Sequence, residues 1–259
     1  MLILLYLFDF DKKQAKRPLR TKRMNYLKIQ STFFFLFILP AFLSGQTLIG
    51  VKGGINWSTF RNGSNSMIQS GSYTSYPSSG FGLDIKGRKS KLIHFGTSAE
   101  YYRTSVHWVT KFGPLGGSGG KDIRYNMNLL RFSVFPELMI GKRFQFFFNI
   151  GPYLSIIINS SRNGTRWMTS GSGGRQSYNT ETGSANDDIH PADAGFMESL
   201  GFGYSILPFL VLSIEENGGI GIFNIDKNTD TEGIVKTKGI GVFFCVSFII
   251  PGKKLTEQK

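Results

Sequence analysis

The sequence predicts an all-β fold: an eight-stranded, antiparallel, transmembrane up-and-down β-barrel. Three observations carry this. Apolar residues recur with a period of two in eight segments, which means strands with chemically different faces. The connections between those segments alternate long, short, long, short, long, short, long. A secretory leader precedes them all. Composition agrees, since 32 of the 259 residues are Gly, 24 are Phe and only 18% are charged. That mixture suits many short strands joined by turns.

Residues 1–45 are expected to stand apart from the fold. From Met24 the chain reads MNYLKIQSTFFFLFILPAFLSG, then Gln46. Lys28 supplies a positive n-region, Phe33 to Leu43 an apolar stretch, and Ser44-Gly45 the small residues before a cut. The apolar stretch is too short to span a bilayer as a helix. Residues 1–23 add a basic run and are expected to lie upstream of the true start at Met24. The barrel is expected over 46–251 and a polar tail over 252–259.

The leader also decides the charge argument. It holds 8 of the 30 Lys+Arg and 2 of the 17 Asp+Glu, leaving 22 against 15, or +7 instead of +13. With no basic helix and no basic–aromatic face, nucleic acid is excluded as a partner. The single cysteine, Cys245, excludes an internal disulfide and any multi-thiolate metal site.

Taken in order, the first strand is Leu48 to Thr59, with Val51, Ile55 and Trp57 on one face and Lys52, Asn56 and Ser58 on the other. Arg61 to Ser79 has no periodicity and reads as a loop. The second strand, Gly80 to Lys86, sets Phe81, Leu83 and Ile85 against Asp84 and Lys86. After the turn Gly87 to Lys91, the third runs from Leu92 to Val106, with Phe95, Ala99 and Tyr101 opposite Ser98 and Glu100. A Gly-rich loop, Thr110 to Asp122, leads to a hairpin over Tyr125 to Ile158. Its link, Gly141-Lys142-Arg143, is short enough to force antiparallel pairing. Leu130, Phe132, Val134, Pro136 and Leu138 alternate with Arg131, Ser133, Phe135 and Glu137. Beyond the link, Phe146, Phe148, Ile150, Pro152, Leu154 and Ile156 alternate with Gln145, Phe147, Asn149, Gly151, Tyr153 and Ser155. The longest irregular segment is Ser160 to Pro191.

The sixth strand, Ala192 to Tyr204, has one face almost bare, with Gly195, Ser199, Gly201 and Gly203. Glu198 falls with Phe196 and Phe202 on its apolar face. The link Ser205 to Pro208 feeds the seventh strand, Phe209 to Ile225. A polar loop, Asp226 to Lys236, precedes the eighth, Thr237 to Ile250, where Ile240, Val242, Phe244, Val246 and Phe248 alternate with Gly241, Phe243, Cys245 and Ser247. An even strand number puts the four long, mobile loops on one side, opposite both termini, as in outer-membrane barrels. Closure is obligatory in lipid, where an unpaired strand edge is costly. Trp57, Phe60, Tyr101, Tyr102, Trp108, Tyr125, Phe209, Phe223 and Phe248 stand near strand ends and are expected to form interfacial girdles.

LIGVKGGINWSTF, RFSVFPEL, NIGPYLS and DAGFMESLGFGYS, in this order and spacing, resemble the PorT-like outer-membrane β-barrel domain of Gram-negative Bacteroidota. The likeness covers about Gly50 to Phe248. It implies residence in the cell outer membrane, with a few members linked to secretion machinery. Glu215-Glu216-Asn217-Gly218 stands where members often carry an Arg-Tyr pair, so any role tied to that Arg does not transfer.

Candidate chemistry is thin. Gly116 to Gly120 matches G-x-S-x-G but lacks the strand and helix that motif needs, and Gly119-Gly120-Lys121 fails the P-loop spacing. Asp226, Asn228, Asp230 and Glu232 imitate a calcium loop without its Gly and its final Glu. His94, His107 and His190 are scattered without metal-ligand spacing. His107 with Ser105 near the outer end of the third strand suits a rim hydrolase, but no acid can be assigned to them from sequence. No catalytic residue, cofactor or metal is expected.

What remains is the inward face, where a polar network is expected: Lys52, Asn56, Asp84, Lys86, Ser98, Glu100, Arg131 and Glu137. Lipid-facing Lys or Arg costs about 2–4 kcal/mol at midplane, so these charges belong inside, and an eight-stranded barrel is filled by its own side chains. The expected role is structural or interaction-based in the cell envelope, accessory to transport or secretion, with outer-membrane lipid as the surroundings and partners held by the long loops. Two alternatives stand beside it. One is an exported, soluble, lipocalin-like carrier of an apolar ligand; the other is a barrel-rim enzyme acting on lipids.

Overall fold

The computed structural model describes residues 46–62, 69–88, 92–112, 117–170, 176–185, 188–225 and 235–251. The leader, the tail, Lys89 to Lys91 and most of the Asp226–Lys236 loop lie outside the described residues, and so does the calcium-like series within that loop.

Nine strands form: β1 (Gln46–Asn62), β2 (Gln69–Arg88), β3 (Ile93–Phe112), β4 (Gly117–Gly141), β5 (Phe144–Ser170), β6 (Gln176–Ser184), β7 (Ala192–Leu207), β8 (Leu210–Gly221) and β9 (Val235–Pro251). Eight close a ring, β1-β2-β3-β4-β5-β7-β8-β9 and back to β1, with every pair antiparallel. β6 pairs with the outer part of β5, from Ser161 to Thr169. The register from Lys52 through Gly82, Glu100 and Arg131 reaches Ser155 on β5. The opposite way round, through Cys245, Ser213 and Gly203, it reaches Gln145, a stagger of ten residues. That stagger tilts the strands by about 40°.

The period of two decides the faces as the sequence reads. Ile49, Val51, Phe81, Leu83, Phe148, Ile150, Phe202 and Phe244 stand outward and exposed, and Lys52, Asp84, Glu100, Glu137, Asn149 and Ser199 are buried within. The bare face of β7 has a use: at Gly201 an added Cβ would lie 2.4 Å from the Phe147 ring, which fills that space. In the β4–β5 ladder the pairs run to Ser133↔Tyr153 and resume at Glu137↔Asn149. Pro136 and Pro152, which lack an N–H, stand within that interruption.

Three expectations are corrected. The long loops are mostly strand. β2 starts at Gln69, β3 and β4 reach Phe112 and Gly117, and β5 runs to Ser170 before β6 returns. β4 has 25 residues and β5 has 27, against about 9–11 for one crossing. So β2 to β6 continue past the membrane as a sheet on the side away from the termini. Above the bilayer the outside of the wall meets water, so on β3 and β4 the apolar parity turns inward (Val106, Trp108, Tyr125, Met127) while backbone pairing persists. Second, Phe60, Tyr102, Trp108 and Tyr125 are buried inside and take no part in a girdle. Third, Ser160 to Pro191 is not a free loop, because Ala185 and Ile189 are buried in an apolar cluster at the barrel mouth.

Glu198 stands outward in unbroken register with Ile150 and Gly218. Glu216 stands outward beside it, across from Leu200 and Val242.

Candidate functional site

Within the barrel the side chains stack in levels. Nearest the short turns, the Gln145 amide donates to the Lys142 carbonyl at 2.9 Å and to Ser205 Oγ at 3.1 Å. Above it, Lys86 Nζ lies 2.6 Å from Glu137 Oε2, and His94 Nδ1 lies 3.4 Å from Glu137 Oε1. The Lys86 ammonium also sits 4.8 Å from the Phe147 ring centre and 5.9 Å from that of Phe135. The Lys86–Glu137 pair joins β2 to β4, and its contacts with His94 and Phe147 add β3 and β5.

The next level centres on Lys52. Its Nζ lies 2.6 Å from Glu100, 2.9 Å from Glu215 and 3.2 Å from Asp84, with all four side chains at most 7% exposed. The ammonium donates a hydrogen bond to Glu215 of β8 and is paired by charge with Asp84 of β2 and Glu100 of β3. The group therefore crosses the lumen. Asn217 Nδ2 donates to Glu215 at 3.2 Å, and Ser98 and Ser133 share a 2.6 Å hydrogen bond.

Higher still, the Arg131 guanidinium is flanked by two rings, 4.8 Å from Tyr102 and 4.3 Å from Tyr153, and its Nε donates to Ser155 Oγ at 3.3 Å. Gly219, across the barrel, leaves it room, since an added Cβ would stand 3.4 Å from Arg131 Nη1. Tyr153 Oη and Thr237 Oγ1 donate to Asp193 at 3.1 and 2.5 Å.

The lumen then turns apolar. Phe60, Val106, Trp108, Ile123, Tyr125, Met127, Leu129, Ala185, Ile189, Ile225 and Val235 form one buried cluster. The β6–β7 connection reaches into this cap, where His190 N–H donates to the Ile225 carbonyl at 2.7 Å and Ile157 N–H to the Pro191 carbonyl at 2.8 Å. Arg162 of β5 pairs with Asp188 of the β6–β7 connection, and Arg166 of β5 lies 2.8 Å from Glu181 of β6, which braces the β5–β6 arm itself. Beyond the membrane, the Asp188 carboxylate raises the Arg162 guanidinium above its ordinary value. Between cap and polar levels lies a cavity of about 20 Å³ lined by Tyr102, Met127, Leu129, Arg131, Asp193 and Thr237. That is room for about one water. A lipocalin-like carrier needs a polar exterior, whereas the outward face of this barrel carries Ile49, Phe81, Leu83, Phe148 and Phe244, all exposed.

Of the residues expected in the lumen, Lys52, Asp84 and Glu100 meet in one group and Lys86 and Glu137 in another. Ser98 pairs with Ser133, Asn56 is buried, and Arg131 occupies a third level. Arg131 and Glu137, six residues apart on β4, stand about 20 Å apart along the strand and belong to different groups. Sequence reasoning missed Glu215, Asn217, His94, Tyr153 and Asp193. The signal for Glu215 was available, since Val211, Ser213, Glu215 and Asn217 share a parity. Among the described residues no group of His, Cys, Asp and Glu is arranged to hold a metal ion.

On the outer surface of the sheet extension, His107 Nε2 lies 2.6 Å from Asp122 Oδ1. Asp122 is the acid that sequence could not assign. Ser105 is two residues along β3, on the same face.

A family model described as "Outer membrane protein beta-barrel domain" matches residues 41–222. Among solved structures, OprG of Pseudomonas aeruginosa is similar at 11% identity, covering 80% of this chain and 96% of that one, with a TM-score of 0.42. Neisserial surface protein A is similar at 13% identity, 76% and 96% coverage and a TM-score of 0.37. The attachment invasion locus protein Ail of Yersinia pestis follows at 11%, 79% and 99%, with a TM-score of 0.34. No curated protein sequence matches.

Proposed function

We infer that this chain, which belongs to the outer membrane protein β-barrel domain family and resides in the cell outer membrane, is a sealed barrel that works by recognition and not by conduction. One observation carries the reading. The lumen is filled at two successive heights, by Lys52 with its three carboxylates and then by the apolar cap. An ion passing through would have to break buried charge pairs and then enter a space without polar partners, and each step is costly. In planar bilayers the purified protein should show no stable conductance step, and a reproducible step would overturn the reading.

The surface left for partners is the sheet extension, since the barrel wall is committed to lipid. The extension faces the cell exterior in this reading. Cysteines at Thr165 and Lys142 test it with an impermeant thiol reagent on intact cells: labelling at 165 alone is expected, and labelling at 142 alone would invert the barrel. The PorT-like motifs support a narrower role as an accessory to envelope transport or secretion, and cross-linking from Thr165 in native membranes tests for a secretion partner.

A second reading, a rim enzyme acting on lipids, is favoured by the His107–Asp122 hydrogen bond, because a base oriented by an acid beside a serine is the arrangement of an activated nucleophile. His107→Asn assayed for turnover of membrane lipid esters decides it; unchanged turnover would remove this reading.

A further inference from the structure

Two charged side chains stand outward at mid-depth in the apolar belt, Glu198 of β7 and Glu216 of β8, and both are exposed. We propose that this pair is a lateral docking site for a different membrane protein, one that presents an Arg or Lys in the middle of its membrane-spanning segment. Glu216 lies between Leu212 and Ile220, four residues below and above it on the same face and both exposed. At a strand tilt of about 40°, that is about 10 Å of apolar wall on either side. The carboxyl is therefore held near the middle of a hydrocarbon layer about 30 Å thick. Glu198 is flanked by Phe196 and Leu200 on its own strand and by Ile150 on β5, all exposed to lipid.

The two carboxyls form one patch. Glu198 pairs across the ladder with Gly218, and Glu216, two residues from Gly218, pairs with Leu200. Such diagonal positions have Cβ atoms about 7 Å apart, within reach of long side chains. Glu198 leans across onto β8, for an added Cβ at Gly218 would stand 3.2 Å from Glu198 Cγ and Oε1. Among the described residues neither carboxyl has a hydrogen bond or an ion pair. Glu215, one residue away and inside, has Lys52 at 2.9 Å. An ionisable side chain facing lipid is costly, because no water is there to solvate it, and such a residue marks a function whose partner has to be found.

Charge and depth together select the occupant. The nearest outward cation on β9, Lys238, stands across from Ile220, four residues higher than Val242, which faces Glu216. A second copy inserted the same way keeps every residue at its own depth. It would bring two more carboxyls to mid-depth and its own Lys238 about 10 Å too high. The cation must therefore come from another chain. A Lys or Arg facing lipid at mid-depth is itself costly, so each side relieves the other on docking. Arg fits the pair better, since its planar fork carries five donors and can serve two carboxylates at once. This adds a partner surface on the wall to the one on the sheet extension, and it rests on residence in the outer membrane alone.

A photo-cross-linking residue at Leu200, across from Glu216, tests this with the full barrel in native membranes. Leu83, outward and exposed on β2, is the control position. Adducts are resolved by mass and their cross-linked segments sequenced. The expected result is an adduct from position 200 and none from 83, formed with another protein whose cross-linked membrane segment carries an Arg or Lys near its middle. Glu198→Gln with Glu216→Gln should weaken the adduct about tenfold or more. Glu198→Leu with Glu216→Leu should lose it as well while keeping the folded band on gels, which separates lost docking from a lost fold. In the purified barrel the partner is absent, so there the leucine pair should be at least as stable as the parent. An adduct between two copies of this chain, a cross-linked segment without a basic residue, equal adducts from 83, an adduct indifferent to the glutamine pair, or no adduct from 200 would each overturn the proposal. Conductance and thiol labelling report separately on the sealed, outward-facing barrel.

Discussion

The lower and upper halves of the lumen solve the same filling problem with opposite chemistry. Below, Lys52, Lys86 and their carboxylates fill the space with charge. Above, Trp108, Ile123, Tyr125 and their neighbours fill it with apolar bulk. The difference follows from what surrounds each half. The lower half sits inside the lipid belt, where the outside of the wall must be apolar and the polar parity can only point in. The upper half rises past the belt, where water meets the outside, and there the apolar parity turns inward as in a soluble sheet. Tyr102 and Arg131, with rings and guanidinium 4.8 Å apart, stand at the crossover.

The comparison breaks hardest at Lys52. Lys52→Ala leaves Asp84, Glu100 and Glu215 facing one another without their cation. Loss of about 3–5 kcal/mol is expected where the site is dry, read as a lower temperature at which the folded band disappears on gels. Adding Glu215→Gln should recover part of it.

In the upper half the same logic runs through volume. Ile123→Ala, at a position with no exposure, should cost about 2–4 kcal/mol by cavity formation, with conductance still absent because the Lys52 level stays closed. A stable channel in Ile123→Ala would show that the cap alone seals the barrel.

Arg131→Ala should cost less, about 1–2 kcal/mol, since it removes two ring contacts and one neutral acceptor. If it matched Lys52→Ala, the Arg131 level would have to be joined to the carboxylates below.

The smallest effect has the opposite sign. Glu215 and Glu216 are consecutive, yet one is bound to Lys52 and the other stands outside among Ile214, Leu200 and Val242. A lipid-facing carboxyl is unfavourable by less than a Lys or Arg, so Glu216→Leu should gain about 1 kcal/mol in a bilayer unfolding titration. A loss would point to a lateral partner at that position.

The sequence by itself determined the barrel. A period of two assigns Val51 outward and Lys52 inward before any contact is known, because a strand offers only two faces. The three short links set antiparallel order and place both termini on one side. It also determined that Lys52, Asp84, Glu100 and Glu137 point inward, since each stands on the parity opposite the apolar face of its strand. Tertiary structure alone decided who meets whom. The ten-residue stagger slides the strands past one another, so Lys52 reaches Glu215, 163 positions away. The same closure turns Phe60, Trp108 and Tyr125 inward and pairs His107 with Asp122 across β3 and β4. Those outcomes depend on register around a closed ring, a property of all eight strands together that no single stretch of sequence contains.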